Sequence, residues 1–254
     1  MESRLHATPP LARRFSGQDR PDITDVVGRP RTQWRKRAVL LSVYLLAVFS
    51  KRYVLPLVPD PWFWGVDFAY FVVLPLLLFW WGWRKPDLVL DDPDAMPAPV
   101  ADDLNGFVTA VIGVWLFLFL WLLCSCVISL AARLDLADSW LGLLQPTFSY
   151  AAHLPQVSLW HWGMLGYLGL TAGLAEEFFF RKAFRQIMQR WTTSRLAFVL
   201  ASSLVFGLAH WGGGYLNVLT AFAAGLLLAA AYVKLNRLAP LVIGHFLADL
   251  VLFS

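Results

Sequence analysis

The sequence predicts an all-α protein, a polytopic bundle of transmembrane helices with about seven membrane segments and a cytoplasmic N-terminus. Hydrophobic residues make up 58% of the 254 residues and charged residues only 15%, whereas a soluble domain is about 25% charged. The mean hydropathy is +0.58. The 13 Trp and 19 Phe are typical of membrane interfaces and lipid-facing helices. Together these observations predict the class before any motif is considered.

Positive charge concentrates at the start of the chain. Nine of the 21 Lys and Arg precede residue 38, and most of the others fall in short loops, which is the positive-inside distribution of a membrane protein. We therefore interpret residues 1–35 as a disordered basic cytoplasmic tail and residues 36–254 as the transmembrane helical domain. The net charge of +4 then reflects topology, so the lipid bilayer is an expected partner and nucleic acid is not.

Seven apolar stretches define the predicted helices, and no internal repeat relates them. They are 38–58, 62–83, 107–132, 160–189, 195–210, 216–233 and 240–253. Pro75 predicts a kink in the second stretch, because proline removes a helix hydrogen bond. Lys51 and Arg52 interrupt the first stretch and are assigned to an outer loop. An acidic loop at 86–105 and a mixed stretch at 133–157 connect the flanking segments.

An island of charge lies inside the fourth apolar stretch. Glu176, Glu177 and Arg181 follow a run without any charged residue, and ionisable groups at membrane depth are costly, so the cluster indicates a functional site. Glu177 and Arg181 are four residues apart and share a helix face, which predicts an ion pair. Glu176 points about 100° away on the same helix and is left as a candidate general base.

Two histidines reach the depth of this island by different routes. Glu176 and His210 lie the same number of residues before and after Thr193 in the turn between the fourth and fifth segments. In an antiparallel hairpin both then lie roughly 25 Å from the turn. His245 and Asp249 share one face of the last segment and reach a similar depth. We expect these side chains to form one buried site, in which His210 helps Glu176 to orient a water. His245 and Asp249 either donate to an oxyanion or hold each other in place.

Three short motifs in this order resemble a known family. They read Glu176-Glu177-Phe-Phe-Phe-Arg181, Phe206-Gly-Leu-Ala-His210 and His245-Phe-Leu-Ala-Asp249, and they are similar to the EExxxR, FxxxH and HxxxN motifs of the CPBP family. This is the CAAX protease and bacteriocin-processing (Abi) family of intramembrane glutamic endopeptidases. The resemblance covers a core at about 158–254 and implies a CAAX-type peptide hydrolase.

The resemblance also implies roles for the site residues. Glu176 and His210 would activate the attacking water, His245 and Asp249 would stabilise the oxyanion, and Glu177 and Arg181 would support the site. Asp249 stands where the prenyl endopeptidases carry Asn. An ionised Asp would repel an oxyanion, so orienting His245 is its competing role. The implied substrate is a membrane protein or peptide, either lipidated or with a C-terminal sorting tail, and we expect the inner membrane of a bacterial cell.

Other classes of function stay open at this point. Glu176, His210, His245 and Asp249 form a possible ligand set for a divalent metal ion. The lack of an HExxH motif and the presence of Arg181 disfavour a metal, and we expect no cofactor. A catalytically silent immunity or assembly scaffold is one alternative. A proton-coupled transporter is another, although transporters commonly contain internal repeats.

Overall fold

Helices account for nearly all of the residues that the computed structural model describes, which are 31–83, 105–134, 146, 150–155, 158–189 and 191–253. Seven continuous helices lie within these ranges, and the ranges contain no β-strand. The all-α class is therefore confirmed. Residues 1–30 of the predicted tail and nearly all of the predicted acidic loop fall outside the described residues. The rest of the predicted tail, residues 31–35, is helical, because a helix begins at Arg31.

The first three helices precede the charged island. They are α1 (Arg31–Val54, then a 3-10 turn at Leu55–Leu57), α2 (Asp60–Phe68, a π-helical turn at Ala69–Val73 and Leu74–Trp83) and α3 (Gly106–Arg133). Asn105 begins α3, because its side chain accepts a hydrogen bond from the Val108 N–H at 2.9 Å. The π-helical turn of α2 ends just before Pro75, where proline cannot donate the usual helix hydrogen bond. The irregularity that was predicted as a kink at Pro75 is thus a widened, π-helical turn.

The last four helices carry all the residues predicted for the site. They are α4 (Ser158–Glu177, a π-helical turn at Phe178–Ala183 and Phe184–Met188), α5 (Arg195–Ala209), α6 (Gly214–Leu235, after a 3-10 turn at Trp211–Gly213) and α7 (Ala239–Phe253). Each of the four predicted segments from 160 onward coincides with one of these helices.

The placement of Lys51 in an outer loop is wrong. α1 continues through Lys51, and the lysine ammonium lies over the rings of Phe71 and Tyr150, 5.0 and 5.6 Å from their centroids. Ring faces attract a cation and offset part of the cost of removing it from water. A lysine in this setting does not need to end the helix.

Within the described ranges, three helices are long and apolar enough to cross a membrane, and α5 and α7 are shorter apolar helices. The three spans are Asp60–Trp81, Gly106–Arg133 and Trp211–Leu235. On α3, Trp115, Phe119 and Trp121 point outward with 58%, 54% and 52% exposure. Large apolar side chains on an outer surface are typical of contact with lipid. The protein is a membrane protein.

Small residues let the helices of the site approach closely. A Cβ at Gly207 of α5 would lie 2.8 Å from Phe222 Cβ on α6. Gly173 of α4 faces the backbone of α7, where its Cβ would be 3.2 Å from the Val242 carbonyl oxygen. Nearer the start of α4, a Cβ at Gly163 or Gly166 would meet nothing within 4 Å. Close packing is thus concentrated near the charged island.

Candidate active site

Side chains from α4, α5 and α7 converge beside a cavity of 510 Å³. Glu176 Oε2 lies 3.7 Å from His210 Nε2 and 3.9 Å from His245 Nε2. Asp249 Oδ2 lies 3.7 Å from His245 Nε2. All four residues line the cavity. The proximity of Glu176 and His210, which the hairpin spacing predicted, is confirmed as geometry.

The end of α5 positions the His210 ring. The His210 N–H bonds to the carbonyl of Gly207, which leaves the Phe206 carbonyl free to accept 2.8 Å from His210 Nδ1. A carbonyl can only accept, so Nδ1 carries the proton and the lone pair of a neutral ring lies on Nε2. Gly214 then turns the chain into α6 at φ 86°, a conformation that glycine adopts without steric cost. The local fold therefore aims His210 Nε2 at Glu176.

One oxygen of Glu176 makes no hydrogen bond within the described part of the chain. The residue is 3% exposed, and Oε2 is buried without a hydrogen bond to any described residue. Buried polar atoms are nearly always hydrogen-bonded, so an exception at a cavity wall needs an explanation such as a bound molecule or a chemical role. Its two nearest ring nitrogens lie beyond hydrogen-bond distance. The geometry leaves Oε2 able to accept a proton.

Glu177 is bonded on both oxygens. Its Oε2 accepts from Arg181 Nε at 3.0 Å, and its Oε1 accepts from His245 Nδ1 at 2.9 Å. Glu177 and Arg181 are both fully buried, so the predicted intrahelical ion pair is confirmed. The bond to His245 joins α4 to α7 and was not predicted. Because a carboxylate can only accept, the proton of this bond belongs to Nδ1 of His245. The other ring nitrogen, Nε2, faces Glu176 and Asp249.

Arg181 extends the hydrogen-bond network to α5. Its Nη1 donates to Ser202 Oγ at 3.0 Å, and Ser202 Oγ donates to the Phe180 carbonyl at 2.7 Å. The guanidinium also lies 4.9 Å from the centre of the Phe206 ring. Buried charges persist when they are paired and hydrogen-bonded. The network therefore ties together the three helices that carry the site.

The geometry does not support an orienting role for Asp249. Its carboxylate lies 3.7 Å from His245 Nε2, which is longer than a hydrogen bond. The orienting bond comes from Glu177 on the other ring nitrogen. The hydrogen bond that orients the His245 ring is thus made by Glu177, and a role for Asp249 in holding the ring stays a prediction. Glu177 takes this role because the packing of α7 against α4 brings it next to the ring.

Comparison with known proteins agrees with the motifs. Residues 157–251 match the family model described as "Rce1-like: Type II CAAX prenyl endopeptidase Rce1-like". We refer to these residues, which are similar to that family, as the Rce1-like domain. The resemblance to the CPBP family is thereby confirmed for α4 to α7. Searches of curated proteins and of solved structures found no match to the chain.

Two residues of α1 that the sequence analysis did not assign to the site touch the Rce1-like domain or its cavity. Tyr44 stacks on Phe179 with 3.9 Å between ring centres, and its buried hydroxyl has no partner among the described residues. Lys51 lines the cavity. Neither belongs to a motif, and α1 lies outside the matched stretch, so no sequence signal relates them to the site. Ser202 was also missed, although a serine in an apolar helix is a detectable signal.

The side chains of the Rce1-like domain that could bind a metal ion are those of Glu, His and Asp beside the cavity. In the described part of the chain, no three His, Cys, Asp or Glu side chains converge closely enough to hold a metal ion. Both oxygens of Glu177 already accept hydrogen bonds, from Arg181 and His245. Glu176, His210, His245 and Asp249 lie nearest to one another among the remaining side chains. Incubation with a chelator tests whether they bind a metal ion.

Proposed function

We propose that the protein is an intramembrane endopeptidase that hydrolyses a peptide bond with a water activated by Glu176 and His210. The carrying observation is the buried, unpartnered Glu176 Oε2, which lies 3.7 Å from His210 Nε2 at the wall of a cavity. Both atoms are acceptors when His210 is neutral. A water in the cavity beside this pair would lie within hydrogen-bond distance of both atoms and donate one hydrogen to each. The Rce1-like domain supports membership of a protease family.

The chemistry follows from these positions. Glu176 takes a proton from the water, and the water oxygen forms a bond to the carbonyl carbon of the substrate. The resulting oxyanion accepts a hydrogen bond from His245 Nε2–H, which is available when the ring also donates through Nδ1 to Glu177. Glu176 then returns its proton to the nitrogen of the leaving amine as the C–N bond breaks. General acid–base catalysis of this kind contributes about 10²–10⁴-fold to a rate.

Asp249 is assigned an electrostatic role in this proposal. Its carboxylate lies 3.7 Å from His245 Nε2, where a negative charge stabilises a positively charged ring. Donation from Asp249 to the oxyanion would require a protonated carboxyl. We therefore assign the hydrogen bond to the oxyanion to His245, and Glu177 and Arg181 to the support of that ring.

The proposed substrate is a membrane-associated protein or peptide. The lining of the cavity is largely apolar and includes Leu168, Leu216 and Leu252, which suits apolar side chains next to the cleaved bond. We propose a multi-pass protein of the bacterial inner membrane with its N-terminus in the cytoplasm, and a reaction without a metal or other cofactor. Water reaches the bond through the cavity, since lipid would exclude it.

The test compares membrane peptides from cells that produce the wild-type protein or Glu176→Gln. Substrate fragments should appear only with the wild-type protein, and their ends identify the cleaved bond. Fragments in both samples would instead support a silent scaffold whose effect on the cell does not need Glu176. The fragments should persist when purified protein is incubated with its substrate and a chelator, whereas their loss would point to metal chemistry.

A further inference from the structure

Tyr44 of α1 is buried in the core, but its hydroxyl has no hydrogen-bond partner among the described residues. The side chain is only 1% exposed. A phenylalanine would fill the same space without the cost of burying a hydroxyl, so the unpaired hydroxyl needs an explanation such as a bound water or a chemical role. The surroundings of the ring show which acceptor its O–H can serve.

Two aromatic rings of α4 hold the Tyr44 ring in one orientation. Tyr44 stacks on Phe179, with 3.9 Å between the ring centres and 9° between the planes, and it meets Phe180 edge-on at 6.1 Å. Phe179 follows Glu176 by three residues, a spacing that makes two side chains neighbours on a helix surface. The stack therefore brings Tyr44 next to the turn of α4 that carries the candidate base.

The Tyr44 hydroxyl lies on the side of the two glutamates. It interacts electrostatically with Glu176 and, more weakly, with Glu177. Both oxygens of Glu177 accept hydrogen bonds from Arg181 and His245, whereas Glu176 Oε2 is buried and accepts none from the described residues. The two unpaired atoms are complementary, because a hydroxyl donates and a carboxylate accepts.

Tyr44 and Glu176 Oε2 are too far apart to bond to each other directly, so a single water molecule is the simplest group that would satisfy both. Buried waters bond to otherwise unpaired polar groups and need about two to four polar partners. A water that accepts from the Tyr44 O–H and donates to Glu176 Oε2 meets this condition. A carboxylate oxygen has two lone pairs, so Oε2 keeps one for the water that is proposed to attack the substrate.

We propose that Tyr44 positions Glu176 through a buried water that bridges the phenol hydroxyl and Oε2. The hydroxyl does not touch the substrate. It holds the carboxylate in one rotamer, with the remaining lone pair of Oε2 directed at the cavity. This assignment gives α1, which lies outside the Rce1-like domain, a part in positioning the candidate base. The effect on catalysis rests on the proposed peptidase function, whereas the bridge itself does not.

Infrared difference spectroscopy tests the bridge without any substrate. Subtracting the spectrum of full-length Glu176→Gln protein in lipid nanodiscs from that of the wild-type protein isolates the carboxyl band of Glu176. Repeating the subtraction with Tyr44→Phe in both proteins should shift this band, because the carboxyl group loses a donor while the ring stack stays in place. An unchanged band would overturn the proposal.

Tyr53→Phe provides the matched control. Tyr53 lies on the same helix, but it is 61% exposed and packs its ring against Trp211. The same substitution there should leave the carboxyl band of Glu176 where it is in the wild-type protein. An equal shift in both variants would show a general effect of changes in α1 and would overturn the assignment to the Tyr44 hydroxyl.

A structure that resolves ordered water checks the nature of the bridge. One water should lie within about 3.2 Å of both Tyr44 Oη and Glu176 Oε2. A site without a water there, or a direct bond between the two side chains, would overturn the bridge.

The catalytic consequence is measured on a synthetic peptide that spans the bond identified by the comparison of membrane peptides. Tyr44→Phe should lower kcat by about tenfold, which corresponds to one hydrogen bond to a carboxylate, and leave KM unchanged. In Glu176→Gln protein the same change should alter the residual rate by less than about twofold, because Tyr44 acts through Glu176.

Equal losses of rate in the two backgrounds, or a rise in KM alone, would show a role in packing or in substrate binding and would overturn the positioning role. The proposed peptidase function fails separately, when wild-type protein cleaves no membrane peptide. The infrared band and the bridging water would still decide whether Tyr44 is joined to Glu176.

Discussion

Glu176 and Glu177 are neighbours in the chain, but their surroundings differ. Both oxygens of Glu177 accept hydrogen bonds from buried donors on Arg181 and His245, whereas Glu176 Oε2 has no partner among the described residues. A carboxylate held from both sides serves as a support, and a carboxylate with a free oxygen can accept a proton. Helix geometry separates the two roles, because adjacent side chains on a helix point about 100° apart.

Ser202 bonds to Arg181, and a substitution can measure what this contact contributes to the free energy of unfolding. Its hydroxyl accepts from Arg181 Nη1 and is fully buried. We predict that Ser202→Ala destabilises the protein by about 1–3 kcal/mol, because a buried donor of Arg181 loses its acceptor. Thermal unfolding of the purified protein in nanodiscs measures this change.

The matched control for that prediction is Ser203→Ala. Ser203 is equally buried, but its hydroxyl donates only to the Val199 carbonyl in its own helix, at 2.6 Å. We therefore expect a smaller loss of stability than for Ser202→Ala. An equal loss in both variants would show that burial of a hydroxyl, rather than the contact with Arg181, sets the effect.

Asp249 offers a second test at the residue scale. Asn keeps the shape of the side chain and removes its negative charge beside His245 and the cavity. We predict that Asp249→Asn keeps cleavage within about tenfold of the wild-type rate, because the hydrogen bond to the oxyanion comes from His245 and the amide adds a donor. The rate of peptide cleavage checks this, and a loss of several orders of magnitude would show that the carboxylate itself is required.

At the scale of elements, close contact between α5 and α6 holds His210 in place. A Cβ at Gly207 would lie 2.8 Å from Phe222 Cβ and 3.0 Å from the Val218 carbonyl oxygen. We predict that Gly207→Ala separates the two helices, destabilises the protein by about 1–3 kcal/mol and lowers the cleavage rate. Thermal unfolding and cleavage assays measure the two effects.

Gly163→Ala is the control for the contact between α5 and α6. Gly163 also lies within a helix, but a Cβ there would meet nothing within 4 Å. Alanine favours a helix over glycine by about 1 kcal/mol, so this variant should be neutral or slightly stabilising. If Gly207→Ala were equally harmless, the close approach of α5 and α6 would not be needed to position His210.

The sequence allows helices to be predicted better than their internal irregularities. Runs of apolar residues predicted all seven helices of the described residues. The ends lie within a few residues of the structure, except that α1 begins at Arg31 and not at 38. Pro75 marked the irregularity of α2. The π-helical turn at Phe178–Ala183, directly after Glu177, has no such mark, because a change of one residue in hydrogen-bond register leaves apolar composition unchanged.

The same limit applies to contacts within the site. The pair of Glu177 and Arg181 could be predicted because spacing along one helix fixes it. The pairing of Glu176 with His210 followed from counting residues to a short turn. The bond of Glu177 to His245 and the place of Lys51 depend on how separate helices pack, which spacing along the chain does not determine.

At the scale of the whole molecule, the residues of the proposed mechanism and the rest of the cavity wall come from different parts of the chain. The Rce1-like domain at residues 157–251 holds every residue of the proposed mechanism. Lys51, Phe71 and Leu120 of α1, α2 and α3 form another part of the cavity wall. We expect relatives with the same three motifs and different first helices to share a reaction and to differ in substrate.

Cleavage by Glu176→Gln tests the proposed mechanism most directly. Glutamine keeps the size of the side chain and cannot take a proton from water. We predict that the variant unfolds at the wild-type temperature and cleaves an identified substrate about 10²–10⁴-fold more slowly, which is the contribution of a general base. Wild-type cleavage by a folded Glu176→Gln protein would contradict the assignment of Glu176 as the base.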